Sequence, residues 1–276
     1  MGTHINTDTV ILMRASLAEE DELIEARKHF DVFETRGSIP VNKLVIGRYS
    51  CLPYYAELEA DLKEHGSYLI DNFSSHTYIA DLANWYEDLK DITPKTWFSL
   101  EDFKRDKPVG SFVLKGQTNS KKGAWNSHMF AATEKDVDTV YSRLNDDGFL
   151  SDQSIYIREY VPLRQFGVGI RGLPITEEYR FFILDGEVVG SGYYWSQFPE
   201  IREENKLNAN SVPREFLNDI ISRVGNKKMF YVIDVARKLD GGWVVVELND
   251  GCQSGLSDVN PAELYGNIKK VLVNNF

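Results

Sequence analysis

Cysteine is nearly absent: Cys51 and Cys252 are the only two in 276 residues. They are too few and too far apart in sequence for a disulfide framework or a cysteine metal knuckle, and free thiols in a cytoplasmic protein are the expectation that follows. No apolar run approaches the roughly eighteen residues a membrane span needs, so no membrane partner is expected. The opening Met1-Gly2-Thr3-His4-Ile5-Asn6 lacks the basic stretch and apolar run of an export signal, and Asn6 stands where a myristoylation signal requires Ser or Thr. The sequon Asn72-Phe73-Ser74 therefore carries no weight. Positive charge is also short: a net charge of −11 argues against general affinity for nucleic-acid phosphates or anionic lipid. Heptads, low-complexity tracts and solenoid-period repeats are missing. So is any GxxxxGK[ST] loop, and the histidines His4, His29, His65, His76 and His128 form no Ser-His-Asp or Cys-His pattern and are expected at the surface. What is present, 42% hydrophobic and 26% charged residues, is the composition of a globular protein with one large or two ordinary domains.

Residues 1–92 alternate strand and helix patterns. Thr9 to Arg14, Leu44 to Arg48 and Tyr68 to Asp71 read as strands; Leu17 to Phe30, Pro53 to Glu64 and Thr77 to Leu89 read as helices. That alternation implies a small parallel sheet covered on both sides, which binds ligands beyond the carboxyl ends of its strands. Two of those ends match, each finishing apolar-Arg-x-Ser, so Arg14 and Arg48 are expected either to aim two guanidinium forks at one anionic ligand or to cap nearby helices. Pro94 breaks the pattern and sets the expected domain boundary, with the second domain at 93–276.

Beyond Pro94, Gly110 to Lys115 and Ser154 to Val161 read as strands, and Thr133 to Leu144 as a helix opened by a capping sequence. Glu178 to Leu184 and Glu187 to Trp195 form a hairpin around Asp185-Gly186, while Pro213 to Val224 and Pro261 to Val273 are helical. The most informative stretch is a second hairpin, Val232-Ile233-Asp234-Val235 joined to Val244 through Gly251 by the turn Lys238 to Gly242. Alternation puts Glu247 and Asn249 on one face, where Asp234 on the partner strand joins them. Two carboxylates and an amide oxygen converging in a core repel unless a cation neutralises them, and hard oxygen donors in small number suit Mg²⁺ shared with substrate phosphates.

Lys115 closes an apolar strand and precedes a small polar loop, Gly116 to Trp125, containing Lys121 and Lys122; a lysine there suits α/β-phosphates. Arg180 begins the first hairpin with Glu178 on the same face, one placed for a phosphate and the other for a ribose hydroxyl. Taken singly, Glu178 and Arg180 read first as solvent-facing charges of an exposed strand pair, and Lys115 alone is a weak signal. The run Gly167-Val168-Gly169-Ile170-Arg171-Gly172 matches a dinucleotide fingerprint, but Pro174 and a strand follow instead of a helix, and it is read as a loop or β-turn.

The order Lys115, loop, Glu159-Tyr160-Val161, Glu178-x-Arg180, Asp234, Glu247-x-Asn249 resembles the ATP-grasp superfamily, and the resemblance spans residues 93–276. It implies an α/β fold of the α+β ATP-grasp kind: a small parallel domain over 1–92, then a two-lobed ATP-grasp domain with antiparallel sheets. The pattern is also similar to a divergent bacterial and phage clade whose members ligate peptides or modify proteins. By the resemblance Lys115 holds the α/β-phosphates, Glu159 with the main chain of Tyr160 and Val161 reads adenine, and Glu178 binds ribose. Arg180 faces the γ-phosphate or acyl phosphate, and Asp234, Glu247 and Asn249 hold Mg²⁺. For the nucleotide-binding lysine that usually precedes the first lobe, Lys90 and Lys95 are the candidates. The activity implied is ATP-dependent activation of a carboxylate as an acyl phosphate for attack by an amine, with no protein nucleophile required. A kinase for a small molecule or an end group, using the same cleft, is the second reading, and a protein that holds nucleotide without turnover the third. The acceptor pocket is expected from Arg14, Arg48 and the aromatic run containing Tyr194. A thiol role for Cys252 and a homodimer stay open.

Overall fold

The computed structural model describes residues 9–16, 18–118, 120–148, 153–225 and 230–275; the N-terminal segment with His4, and Leu17 and Asn119, lie outside the described residues. Among the described residues, three sheets and a small ribbon carry the architecture. The first sheet is built from β1 (Thr9–Leu12), β2 (Asp31–Phe33), β3 (Leu44–Gly47) and β4 (Tyr68–Leu69), all parallel in the order β2-β1-β3-β4. It is flanked by α1 (Glu20–His29) and α2 (Tyr55–Glu64). As expected from sequence, Tyr55, Leu58 and Leu62 form the buried stripe of α2, and they cover Val10, Leu12 and Val45. The opposite face of the sheet, Ile11, Met13 and Ile46, merges into a larger core.

The helix expected over Thr77 to Leu89 is two helices, α3 (Phe73–Ala80) and α4 (Leu82–Leu89). Asp81 breaks them: it is extended, caps α4 through its carboxylate to the Ala83 amide, and accepts from Tyr156 and Gln117. An Asx cap competes with continued helix at such a position. Trp85 and Leu89 of α4 pack with Tyr179, Phe181 and Ile233 of the third sheet, so the core runs across the domain boundary expected at Pro94.

The second sheet is antiparallel, β5 (Thr96–Trp97), β6 (Phe112–Gly116), β7 (Phe130–Ala131) and β8 (Ile155–Glu159) in the order β5-β8-β6-β7, backed by α5 (Leu100–Asp106) and α6 (Val137–Asn145). The capping sequence before α6 is real: the Thr133 and Asp136 side chains and main chain satisfy each other. Phe103, Phe112, Leu114, Val140 and Ile157 close this lobe's own core. The GxGxxG run joins β9 (Gln165–Val168) to β10 (Pro174–Thr176) in a two-stranded ribbon, not a strand and helix.

The third sheet is β12-β11-β13-β14, fully antiparallel, from β11 (Glu178–Leu184), β12 (Glu187–Tyr193), β13 (Phe230–Arg237) and β14 (Trp243–Asp250). The β11–β12 turn puts Asp185 at φ 48° and Gly186 at φ 81°, the paired positive φ of a tight hairpin. Between these strands lie α7 (Pro199–Glu204) and α8 (Arg214–Val224), and α9 (Pro261–Asn275) ends the described chain. Alternation divides the sheet's faces. Tyr179, Phe181 and Ile183 meet α4 and α8, while Phe182, Leu184 and Val232 meet α9 and the first sheet. Each fully buried Leu, Ile or Phe on these faces contributes about 1.5–3 kcal/mol. Gly190 and Gly192 of β12 allow the Asp258–Val259 main chain and Leu264 to close against the sheet, where a Cβ would collide.

Candidate active site

Strand register builds the site. Arg180 pairs with Gly192 on one side and Asp234 on the other, and Asp234 pairs with Glu247, so one transverse row crosses all four strands. Asn249 sits opposite Val232, on the Glu247 face. The convergence expected of Asp234, Glu247 and Asn249 is present, with Asn249 Nδ2 donating to Asp234 Oδ2 at 3.4 Å. The register shifts between Asp234 and Val235, leaving Val246 outside the pairing. Such a bulge frees a main-chain carbonyl, and Arg158 of β8 takes it at 2.7 Å.

Every one of Lys115, Glu159, Tyr160, Val161, Glu178 and Glu247 lines one cleft between the second and third sheets. Met129, Trp125, Leu173 and Trp195 supply its apolar wall. Its polar end, at Ser120, Lys122 and Glu247, is shared with a second cavity lined by Arg180, Tyr194, Asn249, His76, Gln253 and Ser254 among others.

The charges inside are already paired. Lys115 Nζ forms an ion pair with Glu247 Oε1. Burial alone would raise the Glu247 carboxyl, but Lys115 and Lys122 overcome it and hold it down at about 2. Arg180 clamps Asp234 with Nε to Oδ1 at 2.9 Å and Nη2 to Oδ2 at 2.8 Å, and donates Nη1 to the Gly255 carbonyl. Lys122 donates to the Tyr194 hydroxyl at 2.5 Å and lies over its ring; burial lowers its affinity for a proton, but Tyr194, Glu178 and Glu247 raise it further. Glu178 is the exception. It is 3% exposed, Oε2 accepts from Thr176, and Oε1 has no hydrogen-bond partner among the described residues. Burial pushes its carboxyl up to about 7, against the opposing pull of Lys122.

Glu247 and Asn249 present hard oxygen donors to the second cavity, the donor chemistry Mg²⁺ takes alongside waters and phosphates. Asp234, 1% exposed, lines neither cavity and spends both oxygens on Arg180, so it lies behind the other two. Three further donors, Asp71, Asp250 and Cys252, lie within 4.8 Å of one another. Asp250 accepts from the Cys252 amide and from His76, and Asp71 from the Phe230 amide, so this group braces the end of β14.

Several sequence expectations fall elsewhere. Arg14 and Arg48 do not converge on a ligand. Arg14 is exposed over the Tyr49 ring, and buried Arg48 gives Nε and Nη2 to Glu22 and Nη1 to the Gly251 and Ser254 carbonyls. Tyr265 completes that cluster on Glu22. Arg48 thus ties the end of β3 to the loop after β14, buried on Glu22 and lining neither cavity. Lys90 pairs with Glu87 and Lys95 with Asp106, both outside the cleft. The cation that does occupy the cleft wall ahead of the row is Arg158, which sequence reasoning missed. Val113 pairs with Arg158 and Lys115 with Tyr156, so strand parity alone puts Arg158 on the Lys115 face. Burial draws its guanidinium down to about 10, against Glu247. His76, expected at the surface, is 4% exposed.

The family model of an ATP-grasp domain, clade family 3, matches residues 103–268, and the chain belongs to that ATP-grasp family. No curated relative matches it. Its fold is shared with a RimK domain ATP-grasp protein from Sphaerobacter thermophilus DSM 20745, at 16% identity and TM-score 0.59 over 96% of this chain and 100% of that one. The ATP-grasp ligase PsnB, complexed with a phosphomimetic variant of its minimal precursor, Mg and ADP, matches at 13% identity and TM-score 0.58 over 99% of each chain. The D-cycloserine synthetase DcsG matches at 12% identity and TM-score 0.59 over 96% of this chain and 99% of the other. Among the described residues no helix is long and apolar enough to cross a membrane.

Proposed function

We propose that the protein is an ATP-dependent carboxylate-amine ligase, its ATP-grasp domain spanning 93–276 and preceded by a parallel α/β domain over 1–92. The observation that carries this reading is the single cleft shared by Lys115, Glu159, Tyr160, Val161, Glu178 and Glu247, which continues into a polar cavity holding Arg180 and Asn249. The apolar wall and the main chain at 159–161 take the adenine, and the orphan Glu178 oxygen accepts a ribose hydroxyl. Lys115, Lys122 and Arg158 then neutralise the phosphates, and Arg180, on the wall of the second cavity, faces the γ-phosphoryl as it passes to the acid. Glu247 and Asn249, with Asp234 behind them, would hold Mg²⁺. When bound, Mg²⁺ neutralises charge on transferring phosphoryl oxygens.

The protein supplies position and charge; the acyl phosphate then reacts with an amine in the second cavity, giving an amide and phosphate. PsnB and the macrocyclase MdnC were each solved with a precursor peptide, which supports an amino-acid or peptide carboxylate as the acid here. The test is ADP release with MgATP and an equimolar mixture of the twenty amino acids, with amide products read by mass. ADP release that depends on the amino acids and is matched by amide formation is the expected result. A stable phosphate ester in place of an amide would establish the kinase reading instead, and binding without ADP release would leave only a nucleotide-binding protein.

A further inference from the structure

His76 is buried in α3 yet lines the second cavity beside Asn249 and Ser254. Its ring is stacked on Tyr55 at 3.9 Å between centroids and 11° between planes, and Nδ1 lies 2.7 Å from Asp250 Oδ2. A carboxylate there fixes the Nδ1–H tautomer and leaves the lone pair on Nε2. Nε2 has no hydrogen-bond partner among the described residues, and it is not among the fully enclosed polar atoms, so it reaches the cavity. A histidine serving only to fill space would have little reason to be held by two separate elements, the ring by α2 and the nitrogen by the end of β14. The other groups on the cavity wall are poor proton acceptors. Lys122 and Arg180 are cations, Glu247 is tied to Lys115, and Asp250 spends its oxygens on His76 and the Cys252 amide.

Resting on the ligase reading above, we propose that His76, positioned by Asp250, accepts the proton of the incoming amine, and that the acceptor is an ordinary basic amine arriving as ammonium. An α-ammonium has a pKa of about 8 and cannot attack until it loses a proton. The ammonium gives that proton to Nε2, which frees the nitrogen lone pair. The lone pair attacks the acyl carbon and the C–N bond forms. The bond between that carbon and the phosphate oxygen breaks, phosphate leaving with the electron pair. The second nitrogen proton passes to solvent. Hydroxylamine is uncharged at neutral pH and skips the first transfer, so it separates the role of His76 from formation of the acyl phosphate.

The experiment supplies MgATP and the twenty-amino-acid mixture with and without hydroxylamine, measuring amino-acid condensation and hydroxamate in parallel. For His76→Gln, condensation is expected to fall about a hundredfold, while hydroxamate formation falls far less. His76→Ala is expected to recover condensation on adding imidazole. Asp250→Asn, which keeps the volume but lets the ring adopt the other tautomer, is expected to reproduce the selective loss. Equal loss in both reactions, no loss in either, or no rescue by imidazole would overturn the assignment. If the wild-type protein forms neither product, the ligase reading falls first and this one with it.

Discussion

Glu178 offers the sharpest test of the electrostatics of the cleft. It is 3% exposed, one oxygen has no partner among the described residues, and its carboxyl is raised from the ordinary 4.5 to about 7. A folded-state pKa above the unfolded value means that the folded chain holds the proton more tightly. The associated stability is present below about pH 4.5 and is lost as pH rises through about 7. The full excursion corresponds to about 3 kcal/mol. Glu178→Gln removes the titration while keeping size and hydrogen-bonding capacity. Urea unfolding of the nucleotide-free protein at about pH 5 and about pH 8 should therefore show the variant gaining roughly 2–3 kcal/mol on wild type between the two conditions. A difference between the proteins that does not change with pH would refute the idea that this carboxylate is buried without compensation.

Other outcomes follow from the same contacts. Lys115→Met leaves Glu247 without its ion-pair partner and should cost about 3 kcal/mol in urea unfolding, together with loss of ADP affinity measured by calorimetry. Arg48→Met strands buried Glu22 and should destabilise by about 3–5 kcal/mol without a specific change in KM for the acid, because the arginine lines neither cavity. Arg158→Gln should weaken ADP binding in calorimetry and raise the KM for ATP, whereas Lys95→Gln should change neither, since Lys95 pairs outside the cleft. Gly192→Ala should lower the melting temperature, because its Cβ would collide with the Asp258 main chain.

Much of this site is local in sequence, and that part was legible. The hairpin and its turn were readable, and the proline after the GxGxxG run rules out a helix there, but the turn's register alone carries Asp234 opposite Val246, and only the bulge between Asp234 and Val235 brings Glu247 opposite it. Contacts that join distant segments were not legible. Arg48 finds Glu22 in α1 and Gly251 and Ser254 beyond β14, and Tyr265 of α9 joins them on Glu22, a cluster assembled only by folding. The matching strand-end sequences of Arg14 and Arg48 suggested one shared ligand, yet only Arg48 is enclosed, because its strand lies where the loop after β14 returns. His76 was invisible for a similar reason: its partner is 174 residues away, and a histidine in a short helix gives no periodic signal. Arg158 could have been found, since its parity matches Lys115 across a paired strand, but only once that pairing was known. The division of Thr77 to Leu89 into two helices turned on Asp81, whose Asx cap was readable and whose bonds to Tyr156 and Gln117 were not.

The central claim is that phosphate passes from ATP to a carboxylate in the cavity beside Arg180 and Glu247. Turnover with the amino-acid mixture labelled with oxygen-18 in its carboxyl groups, followed by phosphorus NMR of the released phosphate, tests it most directly. One labelled oxygen per phosphate is the expected result; phosphate free of label during ATP turnover would contradict the account.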